Sequence, residues 1–279
     1  MRALKITAMI CSLAISNLIY GQSDQLIAPE GYDKPDTSKP QGEVKEFMYP
    51  SKTVGVYRKA NIYYPPNYDP KQAYPVLYLL HGIGGDEREW LDQGTPHVIM
   101  DNLYGSNKAK PMIIVLPNGR AMKNDRAEGD IFGAEPVKAF ATFEEDLIKD
   151  LIPYIEKEYK VKPGVENRAI AGLSMGGGQS MNFGLGNPEH FAWIGAFSPA
   201  PNTKRGDALL SKPDVTKSNL KLLFLSCGDK DNLMNVTTGA HESLSEKGIP
   251  HTYRILPDHY HDFKYWKNEL YFFAQLVFK

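Results

Sequence analysis

Arg168-Ala169-Ile170-Ala171-Gly172-Leu173-Ser174-Met175-Gly176-Gly177-Gly178 is a short apolar run that ends in Gly-x-Ser-x-Gly and continues into a glycine-rich, helix-compatible segment. It reads as a strand, a sharp turn and a helix, with Ser174 at the corner. A serine hydroxyl becomes a nucleophile when it stands clear of the backbone beside a base, and this turn presents it that way. Glycines on either side tolerate the crowding that a Cβ would forbid. Three fixed residues recur by chance, so the context of the motif carries the weight.

That context is a series of short apolar runs: Pro75 to Leu80, Met112 to Leu116, Ala169 to Leu173, Ala192 to Phe197, Leu220 to Ser226 and Tyr253 to Leu256. Longer mixed segments lie between or after them, notably Phe140 to Tyr159, Ser174 to Gly186, Val236 to Lys247 and Asp262 to Phe278. Continuous apolar strands alternating with helix-length segments predict an α/β fold, a mostly parallel central sheet with helices on both faces. Phe143, Leu147, Leu151, Tyr154, Ile155 and Tyr159 recur at helical spacing, with Glu144, Glu145, Asp146 and Lys149 between them, as expected of an amphipathic helix on the sheet. Lys52 to Tyr64, closed by Pro65-Pro66, reads as early antiparallel strands. Asn118 to Ala139 is polar and glycine-bearing and reads as an irregular loop near the active-site rim.

The 279 residues fit one large domain. Lys and Arg number 32 against 33 Asp and Glu, so no electrostatic footprint for nucleic acid or an anionic membrane is present. Arg2 and Lys5, the apolar stretch Ile6 to Tyr20 and Gly21-Gln22-Ser23 follow the plan of a secretory signal, so residues 1–21 are expected to be removed and the protein to be secreted or periplasmic. No other run of comparable apolar length follows. Residues 22–45, with Pro29, Pro35 and Pro40, read as a leader, and residues 46–279 as the folded domain. Cys11 lies within the signal and leaves Cys227 as the sole thiol, which excludes an intramolecular disulfide.

A serine elbow needs a base, an acid to orient it and donors for an oxyanion. The run ending at Ser226 leads into Cys227-Gly228-Asp229-Lys230-Asp231, which offers Asp229 and Asp231 as acids. The run ending at Leu256 leads into Pro257-Asp258-His259-Tyr260-His261-Asp262-Phe263, which offers His259 and His261 as bases. Upstream, Leu80 runs into His81-Gly82-Ile83-Gly84-Gly85, where the Ile83 N–H joins the Met175 N–H as an oxyanion donor by motif position. The order Ser, Asp, His matches an α/β-hydrolase sheet. The histidines and aspartates of 258–262 lack the spacing of a helical zinc pair, and no Cys-x-x-Cys is present; no metal and no cofactor is expected.

With these residues in hand, the chain resembles the esterase D-like branch of the α/β-hydrolases, and within it the feruloyl-esterase domains of bacterial xylanases in carbohydrate esterase family 1. The matching stretches are Tyr74 to Gly85, Asp146-Leu147 with Leu151 to Glu156, Ala169 to Ser180, and His261-Asp262-Phe263 with Trp266-Lys267. The resemblance implies Ser174 as nucleophile, Asp231 rather than Asp229 as acid, His261 rather than His259 as base, and Ile83 and Met175 as backbone oxyanion donors. It also implies hydrolysis of esters on plant cell-wall polysaccharide, feruloyl on arabinoxylan ahead of acetyl on xylan. Acyl transfer on the same fold, and non-catalytic carbohydrate binding through some of the 16 Tyr and 3 Trp, are the competing expectations.

Overall fold

The computed structural model describes residues 26–279, so residues 1–21, expected from the sequence to be a secretory signal, and Cys11 within them lie outside the described residues. Strands β1 (Glu43–Ser51) and β2 (Val56–Tyr64) form an antiparallel hairpin, in register from Glu43 opposite Tyr64 to Ser51 opposite Val56. The first strand therefore begins earlier than the composition suggests. Glu43-Val44-Lys45-Glu46-Phe47-Met48-Tyr49 is polar because this is the sheet's edge, where only part of one face is covered.

The remaining strands are β3 (Val76–Leu80), β4 (Ile113–Pro117), β5 (Arg168–Leu173), β6 (Trp193–Phe197), β7 (Leu222–Gly228) and β8 (Thr252–Leu256). They assemble in the order β1-β2-β4-β3-β5-β6-β7-β8, with β3 to β8 parallel and β2 antiparallel to β4. Helices α1 (Pro96–Gly105), α2 (Ala134–Asp146), α3 (Ile152–Glu158), α4 (Ser174–Gly186), α5 (Pro213–Asn219), α6 (Met234–Glu246) and α7 (Phe263–Leu276) surround the sheet. The expected long helix is α2 and α3 joined by a π-helical stretch, Leu147–Leu151. None of the described helices is long and apolar enough to cross a membrane.

Two apolar cores lie on opposite faces of the sheet, and the strand pleat distributes residues between them. Val76, Tyr78 and Leu80 of β3 pack with Phe143, Leu147, Ile155, Met181, Phe183 and Leu244, from α2, the π-helical stretch, α3, α4 and α6. Leu77 and Leu79 pack with Ile99, Leu103, Leu270 and Phe273 of α1 and α7. All five residues of β3, β4 and β6 are buried, which explains why these strands read as continuous apolar runs rather than alternating ones.

The chain leaves β3 for β4 on one side and then returns past it to β5 on the other. Adjacent carboxyl ends of β3 and β5 thus flank a topological switch point, where open α/β sheets bind ligands.

Candidate active site

Ser174 sits at this switch point, directly after β5, with φ of +51°. A non-glycine residue in the left-handed region carries strain of order 1 kcal/mol, and the surroundings hold it there. Two glycines permit the turn by close approach. A Cβ on Gly172 would lie 2.6 Å from the Gly176 carbonyl, and one on Gly176 would lie 2.6 Å from the Leu80 and His81 carbonyl oxygens. The helix start thus rests on the end of β3 with no room for a methyl group. The Ser174 carbonyl accepts the Ala200 N–H at 3.0 Å, which ties the elbow to the loop after β6.

His261, at the N-terminal end of α7, places Nε2 3.0 Å from Ser174 Oγ. Its Nδ1 lies 2.7 Å from Asp231 Oδ2, on the loop after β7. Three residues from three strand ends therefore form one hydrogen-bonded chain. Asp262 caps α7 by accepting the Tyr265 N–H at 3.0 Å, and the Trp266 ring packs edge-on against the His261 imidazole, centroids 4.8 Å apart. Burial alone would raise the Asp231 carboxyl, but hydrogen bonds from His261, Ser198 and the Leu233 N–H outweigh it and hold the group below the ordinary aspartate range. The neighbouring Cys227 thiol is pushed up to about 11 by burial and by the Asp231 charge, so it is an unreactive packing residue.

Asp229 and His259 stay outside this chain. The Asp229 N–H binds the Leu256 carbonyl at 2.9 Å while its side chain faces solvent and Lys230. His259 Nδ1 turns back to the Pro257 carbonyl at 2.7 Å, and its own carbonyl accepts the Lys230 N–H at 3.0 Å. Both are turn residues that lock the β7 and β8 loops together.

Beyond β3, the turn from His81 to Gly85 lies against Ser174: a Cβ on Gly82 would sit 3.6 Å from the Ser174 Cβ. Among the described residues the Ile83 N–H has no protein acceptor. Met175 occupies the first turn of α4, where N–H groups lack intrahelical partners. Ile83 and Leu233 pack on a small apolar cluster of Phe140, Met175 and Ala200, so the surroundings of Ser174 are apolar on this side.

Several residues that hold this turn escaped the sequence reading. The Gly82 N–H donates to Glu89 Oε2 at 2.7 Å, and the Arg120 guanidinium donates to the Ile83 carbonyl. Arg58, fully buried on β2, pairs with Asp146 at 2.5 Å and donates to the Asn118 and Arg120 carbonyls at 2.7 and 2.8 Å. Gln179 of α4 donates to the Gly119 and Phe140 carbonyls at 2.9 and 2.7 Å. Asp146, one of the charges that the sequence places between the apolar positions, is itself buried, as are Phe143 and Leu147. The signal was its spacing, three residues after Phe143 on the apolar stripe. The segment Asn118 to Ala139 is likewise only partly irregular, because α2 begins at Ala134 and the Ala121 N–H closes the loop on the Ala139 carbonyl at 3.1 Å. Arg126 anchors its near arm to Asp86, Glu87 and Asp125. Among the described residues no three His, Cys, Asp or Glu side chains converge as a metal site.

The Endo-1,4-beta-xylanase/feruloyl esterase of Xylanibacter ruminicola is 34% identical over 245 residues, covering 85% of this chain and 32% of that protein. Esterase Rv1288 of Mycobacterium tuberculosis is 27% identical over 186 residues, covering 65% and 37% respectively. The chain thus spans about one third of the length of the curated relatives it matches. The solved structure of AmCE1/Fae1A, a CE1 ferulic acid esterase from Anaeromyces mucronatus in complex with ferulic acid, superposes with a TM-score of 0.83 at 28% identity, covering 91% of this chain and 97% of that one. This agreement and the sheet order identify the α/β-hydrolase fold. Residues 51–278 match the model of the Esterase family, described as "Putative esterase", and the chain belongs to that family.

Proposed function

We propose that this protein is a serine carboxylic-ester hydrolase that works through an acyl-enzyme. The observation that carries the reading is the Ser174–His261–Asp231 hydrogen-bonded chain at the β3/β5 switch point. His261 Nε2 takes the Ser174 proton as Oγ attacks the ester carbonyl, and the Ile83 and Met175 N–H groups receive the developing oxyanion. Asp231 keeps the imidazole proton on Nδ1 and stabilises the imidazolium. Collapse of the tetrahedral species breaks the ester C–O bond, and His261 gives its proton to the departing alcohol. A water that His261 then deprotonates attacks the acyl carbon and releases the acid and Ser174.

The substrate class in this reading is a feruloyl ester on plant cell-wall polysaccharide, met outside the cytoplasm. Three observations support it: the xylanase/feruloyl esterase and the ferulic acid esterase among the relatives, the apolar wall of Ile83, Met175, Ala200 and Leu233 beside the serine, and the signal-like N-terminus. An aromatic acyl group gains from apolar contact that an acetyl group is too small to use. Assays of purified protein on methyl ferulate and on acetylated xylan separate the cases. Turnover of methyl ferulate well above acetate release is expected; acetate release without ferulate release contradicts the feruloyl reading, and turnover of neither contradicts hydrolysis.

A further inference from the structure

The Ile83 N–H belongs to the peptide unit whose carbonyl is that of Gly82. That carbonyl lies 2.7 Å from His81 Nδ1, and the other ring nitrogen, Nε2, lies 2.7 Å from the Gly119 backbone nitrogen and 3.1 Å from Asn118 Oδ1. Only one arrangement of protons satisfies both short contacts. A backbone N–H can only donate, so Nε2 must accept from Gly119 and carry no proton. The single proton of a neutral ring then sits on Nδ1 and donates to the Gly82 carbonyl. The opposite tautomer would gain the longer Asn118 contact and set two acceptors, and two N–H groups, against each other at 2.7 Å. Burial lowers the His81 pKa and so keeps the ring neutral, which agrees with this assignment.

The next carbonyl, that of Ile83, accepts from the buried Arg120 guanidinium. Both carbonyls that flank the Ile83 residue are therefore gripped by buried side chains. A peptide is planar, so holding its C=O in one direction aims its N–H in the other. A hydrogen bond accepted at the carbonyl also polarises the N–H of the same unit. The grip is itself supported from below. Gly119, which sets the His81 tautomer, has its carbonyl held by Gln179, and Arg58 holds the carbonyls of Asn118 and Arg120 on either side.

We infer that His81 and Arg120 are positioning residues for the oxyanion: neutral His81, protonated on Nδ1, and Arg120 fix the two peptide planes around Ile83 so that its N–H faces the carbonyl attacked by Ser174. The inference rests on the hydrolase reading above and extends it to side chains that touch neither substrate nor nucleophile.

The test compares His81→Leu, His81→Asn and Arg120→Met with wild type on an activated aryl ester, with circular dichroism to score the folded fraction. Losing one oxyanion donor outright typically costs about 100- to 1,000-fold in turnover, so misaiming it is expected to cost kcat about 10- to 100-fold in His81→Leu and Arg120→Met, with KM within about twofold. His81→Asn places an amide donor near the position of Nδ1 and should recover most of the loss. The infrared carbonyl stretch of the trapped acyl-enzyme should move to higher wavenumber in His81→Leu, because a weaker donor polarises the carbonyl less. If His81→Leu does not fold, Arg120→Met and His81→Asn decide by the same measures. Folded variants with wild-type kcat and an unmoved carbonyl band, alongside an inactive Ser174→Ala, overturn the inference and leave the hydrolase reading intact. An inactive wild type overturns the hydrolase reading and the inference with it.

Discussion

Ser174, with φ of +51°, keeps its strained turn because neighbours on three strand ends leave it no alternative. Asp231 shows the same economy at the level of charge. A buried carboxylate is costly unless its oxygens are paired, and here one oxygen faces the His261 ring while the other accepts the Leu233 N–H at 2.7 Å. Its carboxyl is held below the ordinary value of 3.8, so the folded state binds the proton less well than the unfolded chain. The stabilisation is then complete above about pH 5 and fades as pH falls through the folded value. Asp231→Asn should lose about 2 kcal/mol of stability at neutral pH and about four orders of magnitude in kcat. Denaturant melts of both proteins from pH 7 to pH 3 check the sign: the gap should close only at the acid end, and a gap that widens there contradicts the assignment.

At the scale of elements, the apolar runs locate β3 to β7 to within about two residues because these strands are buried on both faces and need no polar alternation, and Tyr253 to Leu256 locates β8 although that edge strand is only half-buried. The segment Ser174 to Gly186 emerged intact as α4 because the elbow announces its start. Helices α1 and α5 went unread. Pro96 and Pro213 at their first positions are start signals, but each helix is short, and Asp101, an apparent surface charge in α1, is in fact buried against Tyr63 and the Gly42 N–H. The choice between Asp229 and Asp231, and between His259 and His261, was open to residue chemistry alone. It depends on which side chain of a tight turn points inward, a property of backbone hydrogen bonds such as Lys230 N–H to His259 carbonyl, which composition does not encode. The supports around Ile83 are hidden for a related reason: His81, Glu89 and Arg120 act on backbone carbonyls and N–H groups, which all residues except proline carry and which side-chain identity does not mark.

Across the whole molecule, the leader is part of the fold from Leu26 onward. Ala28 donates to Asn268 at 2.7 Å, Asn268 and Arg254 hold the Leu26 carbonyl, Asn102 binds the carbonyls of Tyr32 and Lys34, and Lys267 pairs with Asp33. These contacts strap residues 26–42 across α1 and α7, on elements that support the His261 end of the site. Removing residues 26–42 is expected to cost about 2–3 kcal/mol, or roughly 5–10 °C in Tm, with little change in KM; an unchanged melting curve would contradict a docked leader. The sheet, its switch point and this strap together serve one claim, that Ser174 is the nucleophile of an ester hydrolase. The most direct measurement is the turnover of methyl ferulate by Ser174→Ala beside wild type at neutral pH, with Tm measured on both. That assignment requires a fall in kcat of about 10⁴-fold or more with the fold retained. A folded Ser174→Ala that still turns over the ester at the wild-type rate would contradict it.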